Sequence, residues 1–143
     1  MASQYLTAPV EGGKYYHVCK TSSYEGPIFC TPANYAFFIK RFQVLLGPMV
    51  DLLSYCLLPD RFHFVFFARD VITIKEEYVD HPGDIGHFVS ETLRKLFSTY
   101  SLTLIKQEGF APDKVILDKN FLRYQLADDD TLRQVICAVQ YLS

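Results

Sequence analysis

Strand-like and helix-like blocks of apolar residues alternate along the chain, separated by short runs of turn chemistry. Lys14-Tyr15-Tyr16-His17-Val18-Cys19-Lys20 follows a Gly-Gly pair and is rich in strand formers, and the residues around Gly26-Pro27 then read as a loop. Thr31-Pro32 places an N-cap before a proline at the first helical position. Tyr35, Phe38, Ile39, Phe42, Leu45 and Leu46 follow at helical spacing until Gly47-Pro48 stops the pattern, which predicts an amphipathic helix. Residues 49–58 and 62–69 are two strand-like runs joined by Pro59-Asp60, so they pair most simply as an antiparallel hairpin.

A charged, loop-like segment containing His81-Pro82-Gly83-Asp84 comes next. Phe88, Leu93, Leu96, Phe97 and Tyr100 then mark a second helix from Ile85 to about Leu102. Residues 114–117 and 121–126 read as extended. Asp128-Asp129-Asp130 puts acidic groups where a helix N-terminus favours them, ahead of Leu132, Val135, Ile136 and Val139. The order strand, helix, strand, strand, helix, strand, helix predicts an α+β fold: a ferredoxin-like antiparallel sheet with its helices packed on one face. Residues 1–143 are expected to form one domain, with residues 1–13 as a flexible N-terminus.

Composition narrows the function classes. With 143 residues, 50% hydrophobic and 15% aromatic, the chain is long enough for one real core and short for two. A net charge of -2 gives no overall attraction to a polyanion, so a nucleic-acid contact would need a local patch. Cys19, Cys30, Cys56 and Cys137 lack Cys-x-x-Cys spacing and read as buried, reduced thiols of a cytoplasmic protein. The first residues carry no basic n-region with an apolar h-region, and no apolar run approaches the length of a membrane span, so neither secretion nor a membrane partner is expected.

The most specific chemistry lies in Leu57-Leu58-Pro59-Asp60-Arg61-Phe62-His63-Phe64. Alternation along a strand puts residues 61 and 63 on one face, with Phe62 on the other. Two histidines so placed would clamp a metal ion. Here the first position is Arg61, and a guanidinium has no lone pair to offer a cation.

Three ordered segments now carry a resemblance. Tyr16-His17-Val18-Cys19-Lys20-Thr21-Ser22 is similar to a family run Tyr-His-Val-x-Asn-Arg-Gly. Pro27-Ile28-Phe29 matches Pro-Ile-Phe. Leu52-Leu53-Ser54-Tyr55-Cys56-Leu57-Leu58-Pro59-Asp60-Arg61-Phe62-His63-Phe64 resembles Leu-x-x-Tyr-Cys-Leu-Met-Pro-Asn-His-Phe-His-Leu. From Tyr15 to the C-terminus the chain resembles the single-tyrosine HUH transposases, in their REP-associated branch. The set in order is specific, although each fragment alone is weak.

The resemblance implies a divalent metal, Mg2+ or Mn2+, held by two strand histidines and a polar residue of the last helix. A tyrosine of that helix would attack single-stranded DNA to give a phosphotyrosine link. Phe121-Leu122-Arg123-Tyr124-Gln125-Leu126-Ala127-Asp128-Asp129-Asp130 resembles the family's entry into that helix. Without a gap, the nucleophile position falls on Ala138 and the helical ligand on Leu142. Of the implied constellation only His63 is in place; Arg61, Ala138 and Leu142 depart from it. Lys20-Thr21 replaces an Asn-Arg at the exit of the first strand, and Lys119-Asn120 replaces a Gly-Arg. The implied reading is a transposase-type domain for single-stranded or hairpin DNA that has lost cleavage, with no metal bound. The alternative is a protein-interaction module on the same fold without DNA binding.

Individual residues keep more than one reading. His63 is either a residual ligand or a histidine satisfied by a neighbouring backbone group. Arg61 is either a solvated strand-end charge or a fixed cation for phosphate, with Lys20 and Lys119 as further DNA contacts. Tyr141, three residues beyond Ala138 on nearly the same helix face, is the only tyrosine of that helix able to substitute as nucleophile. Tyr100 and Tyr124 read as packing residues, His17 as structural more than ligating, and His81 and His87 with Asp80 and Asp84 as a solvated segment. Phe64, Phe66 and Phe67 are core in preference to base-stacking platforms. No hydrolase elbow, phosphate loop, dinucleotide fingerprint or zinc-ribbon spacing competes. A homodimer is left open, as is truncation at Ser143, because the family's helix continues further.

Overall fold

The computed structural model describes residues 9–74, 77–79 and 81–142. Its centre is a four-stranded sheet of β1 (Lys14–Thr21), β2 (Val50–Leu58), β3 (Arg61–Ala68) and a last strand, Leu122–Gln125. Two short strands, β4 (Ile72–Ile74) and β5 (Glu77–Val79), precede that last strand, which is therefore β6. The sheet order is β2-β3-β1-β6 and every neighbouring pair is antiparallel, while β4 and β5 pair only with each other. This is the α+β antiparallel sheet expected from the pattern, with the β4–β5 hairpin added in a segment that reads as loop.

Helix α1 (Pro32–Leu46) begins as the Thr31-Pro32 signal predicts. Thr31 Oγ1 accepts from the Asn34 N–H at 3.2 Å, and Asn34 Oδ1 accepts in return from the Thr31 N–H at 3.1 Å. Asn34 thereby does what glutamate or glutamine does in the usual capping box. Helix α2 (Pro82–Glu108) is longer at both ends than the predicted Ile85 to Leu102. Pro82 starts it at the first helical turn, and Gly109, at φ 69°, ends it in the left-handed conformation with its N–H donated to Ile105 O.

Helices α1 and α2 cover one face of the sheet. Phe38 and Phe42 of α1 meet Phe62 and Phe64 of β3, with the Phe42 and Phe64 rings stacked at 4.1 Å. From α2, Leu93, Leu96, Phe97 and Tyr100 complete this core, and the Tyr100 hydroxyl donates to Ile28 O at 2.5 Å. The third helix, α3 (Asp129–Leu142), departs from the one-face expectation and lies on the opposite face, where Leu132, Val135, Ile136 and Val139 pack against Cys56, Val65 and Leu126. The cause is in β3: Phe62, Phe64 and Phe66 are buried on one side and Val65 is equally buried on the other. A strand apolar on both faces requires cover on both. Asp128 caps α3, its carboxylate accepting from the Thr131 N–H at 2.7 Å.

A register irregularity between Leu52 and Ser54 decides which β2 residues reach the α3 face. Before it, Leu52 stands opposite Phe66; after it, Ser54 stands opposite Val65 and Cys56 opposite His63. One residue left out of the pairing reverses the facing of everything beyond it. Residues 114–117, expected as a strand, form none. Ile116 and Leu117 are buried instead under the loop after β1, and Ile116 O accepts from the Ser23 N–H at 2.9 Å.

Candidate functional site

The face under α3 gathers the chemistry. His17 and Cys19 alternate onto it from β1, and His63 reaches it from β3, directly opposite Cys19. His17 Nε2 and His63 Nδ1 lie 3.0 Å apart, and the two rings stack at 5.2 Å between centroids. One ring therefore donates and the other accepts. His63 is satisfied by a side chain, in place of the backbone group expected for it.

Electrostatics keep the pair neutral. Burial, and then the neighbouring His63, push His17 down to about 4; burial, and then the Arg61 charge, lower His63. Burial raises the thiol of Cys19, so it is held protonated. Tyr124 of β6 stands opposite His17, its ring 5.7 Å from the imidazole.

Beside this pair a cleft of about 390 Å³ opens at the end of β1, with Thr21, Ser22, Arg61, His63 and Asn120 among its lining residues. The β2–β3 turn is tied to the segment after β1: Asp60 O accepts from the Ser22 N–H at 2.8 Å and Pro59 O from the Ile28 N–H at 2.7 Å. Arg61 is half-exposed at the mouth, with its Nε 3.1 Å from Asp60 Oδ1. That hydrogen bond is the main cause of the Asp60 carboxyl falling below its usual range. An exposed pair of this kind exchanges readily with an incoming anion.

Lys20 and Asp118 also line the cleft. Lys20, expected as a DNA contact, points to the α1–α2 side. Its ammonium is buried, 2.7 Å from Asp118 Oδ1, also donates to Asn120 O, and lies over the Phe97 ring. Its charge is held in this ion pair in the cleft wall. Lys119 is exposed, with its carbonyl taken by Arg94. On α3, Ala138 is exposed, Leu142 is half-exposed, and Tyr141 is 91% exposed. The buried stripe of that helix runs through Val135 and Val139, and a step of one residue turns a side chain by about 100°. Ala138 is thus off the stripe that meets the sheet.

His81 precedes the first turn of α2 and Asp84 and His87 lie on the helix, which starts earlier than Ile85; all three are exposed, as a solvated segment would be, and Asp80 lies outside the described residues. Among the four thiols, Cys56 is buried and Cys19 half-buried, but Cys30 and Cys137 are exposed, against the expectation that all are interior. Sequence reasoning assigned His17 a structural role and did not pair it with Cys19. The alternation His17-x-Cys19 on a strand next to β3 was the signal available.

No family model matches the sequence, and no curated protein matches it. Among solved structures, one superposes over 94% of this chain and 68% of its own, with a TM-score of 0.62 and 9% sequence identity. That structure is a REP-associated tyrosine transposase bound to a REP hairpin. The fold is similar to this transposase. The Mg2+ or Mn2+ site implied for such enzymes does not fit the residues at the positions expected to hold it. Arg61 brings a positive charge and no lone pair, and Ala138 and Leu142 bring no donor. Among the described residues, no helix is long and apolar enough to cross a membrane.

Proposed function

We propose that this chain is a transposase-like nucleic-acid-binding domain that holds single-stranded or hairpin DNA at the Arg61 cleft and does not cleave it. The observation that carries the reading is the cleft itself. It offers one half-exposed guanidinium with Thr21 and Asn120 beside it and the Lys20–Asp118 ion pair in its wall, on a fold similar to that of a hairpin-bound transposase. Guanidinium and hydroxyl groups around a concave, partly apolar floor suit a phosphate and its sugar better than an apolar ligand.

The loss of cleavage is supported by the nucleophile side of the chemistry. A phosphotyrosine link needs a tyrosine hydroxyl brought to the scissile phosphate beside a metal. Position 138 is alanine, and Tyr141 points to solvent. Binding needs neither group. With the chain at net charge -2, affinity rests on this local patch and is modest.

Fluorescence anisotropy with a labelled DNA hairpin tests the reading. Saturable binding at low salt that weakens as salt rises is expected, together with a loss of affinity in Arg61→Ala. Absence of binding at low salt would favour the alternative, a protein-interaction module on this fold. A homodimer that extends the DNA-binding surface would show in the same titration as a two-protomer stoichiometry.

A further inference from the structure

We propose that His17, Cys19 and His63 form a zinc site of three protein ligands, with the fourth coordination position open to the cleft. His17 and Cys19 are two residues apart on β1 and so share a face, and His63 stands opposite Cys19 on β3. One ligand atom from each residue, a ring nitrogen or the sulfur, lies within 4.8 Å of the other two. Among the described residues this is the one group of histidine, cysteine or carboxylate side chains so arranged.

The histidine spacing is close to what zinc needs, and the sulfur is within 4.8 Å of both ring nitrogens. With Zn–N of about 2.0–2.1 Å and Zn–S of about 2.3 Å, tetrahedral ligand atoms stand roughly 3.3–3.6 Å apart. His17 Nε2 and His63 Nδ1, now at 3.0 Å, need to part by only a few tenths of an ångström. Two imidazoles and a thiolate are a borderline-soft donor set, which selects Zn2+ over Mg2+ or Mn2+. The scaffold is rigid, because the β1–β3 ladder fixes all three positions. Cys19 and His63 line the cleft, so the ion has an entry path and room for a water as fourth ligand.

This ligand set shares only His63 with the clamp that the transposase likeness implies. Its other members come from β1, and Arg61, Ala138 and Leu142 have no part in it. Neutral imidazole and thiolate are the forms that ligate. Binding therefore releases one proton: the Cys19 S–H bond breaks, its electron pair becomes the Zn–S bond, and the proton passes to solvent. The site does not depend on DNA binding, and its test uses the metal alone.

The test is Co2+ titration of the full, metal-free chain without a histidine tag, followed by displacement with Zn2+. Expected are one Co2+ per chain, visible bands of a tetrahedral ion, and a near-ultraviolet thiolate-to-cobalt charge-transfer band, all abolished by stoichiometric Zn2+. Cys19→Ser should remove the charge-transfer band, and His17→Ala should weaken Zn2+ roughly tenfold or more. Cys30→Ser combined with Cys137→Ser, both exposed thiols, should leave the spectrum intact. Circular dichroism checks that each variant is folded. No charge-transfer band in the native chain, or a band that survives Cys19→Ser or disappears with the exposed-thiol variant, would overturn the assignment.

Discussion

His17 and His63 are diagonal neighbours across the β1–β3 ladder: His17 stands opposite Val65, His63 opposite Cys19, and their Nε2 and Nδ1 atoms meet at 3.0 Å. Diagonal pairs on one sheet face are within reach of ring side chains. The contact uses one proton between two rings, and a second proton there would make one imidazolium and set two N–H donors against each other on a half-buried face.

A pH dependence follows from that pair. The pKa of His17 is lowered on folding, from its ordinary 6.5 to about 4, so the unfolded chain binds more protons between those values. Stability is full above about pH 6.5 and falls as the pH drops towards 4. Discounted for partial exposure, the loss is on the order of 1–2 kcal/mol. Urea midpoints of the metal-free chain at pH 7.5 and 4.5 measure it, and metal-free His17→Gln should lose less between the two pH values than the metal-free native chain.

The Lys20–Asp118 pair predicts an asymmetry between its two deletions. The Lys20 side chain is 5% exposed and that of Asp118 is 48% exposed. Asp118→Ala leaves a buried ammonium with Asn120 O but no counter-charge and should cost about 1–3 kcal/mol, whereas Lys20→Met leaves a carboxylate that water can reach and should cost about 1 kcal/mol or less. Equal losses in urea denaturation would contradict the burial of the pair.

Gly86 tests how the N-terminal segment is held. A Cβ at this position would lie 1.4 Å from the carbonyl oxygen of Val10, a backbone atom that cannot swing aside, and Val10 itself is buried. Gly86→Ala should cost about 1–3 kcal/mol by overpacking. It should also speed proteolytic cutting near Val10, whereas Gly109→Ala, with open space around it but φ 69°, should cost only about 1 kcal/mol.

Arg61 and Tyr141 predict opposite results in nucleic-acid binding. Arg61→Ala should lower hairpin affinity several-fold and reduce the salt slope by roughly one charge. Tyr141→Phe, altering a side chain that is 91% exposed, should change neither affinity nor stability. Equal effects of the two variants in anisotropy titrations would argue against the cleft as the contact.

The parts of the fold written in local chemistry were legible. Thr31-Pro32 marked the start of α1, and Pro59-Asp60 the β2–β3 turn. His81-Pro82 shares only the first-turn proline, with no side-chain cap, and reads as loop because Gly83 and the charges around it outweigh that proline. The register shift between Leu52 and Ser54 leaves no composition signal, since either face of β2 accepts Leu52 and Leu53. It nevertheless sets Cys56 on the histidine face. The covering of both sheet faces could have been inferred from Val65 between Phe64 and Phe66, a strand with no polar side. For the site, His63 and Arg61 were recognisable from their strand. The meeting of His63 with His17 and Cys19, 46 residues apart for the histidine pair, depends on the β1–β3 register and appears only in three dimensions.

The most direct test incubates an end-labelled DNA hairpin with the protein and Mn2+, then runs halves of the same sample on native and denaturing gels. A shifted band under native conditions, with free, full-length DNA under denaturing conditions, is the predicted result. A covalent protein–DNA species that survives denaturation and disappears in Tyr141→Phe or Tyr124→Phe would contradict the loss of cleavage, and no native shift at low salt would contradict DNA binding itself.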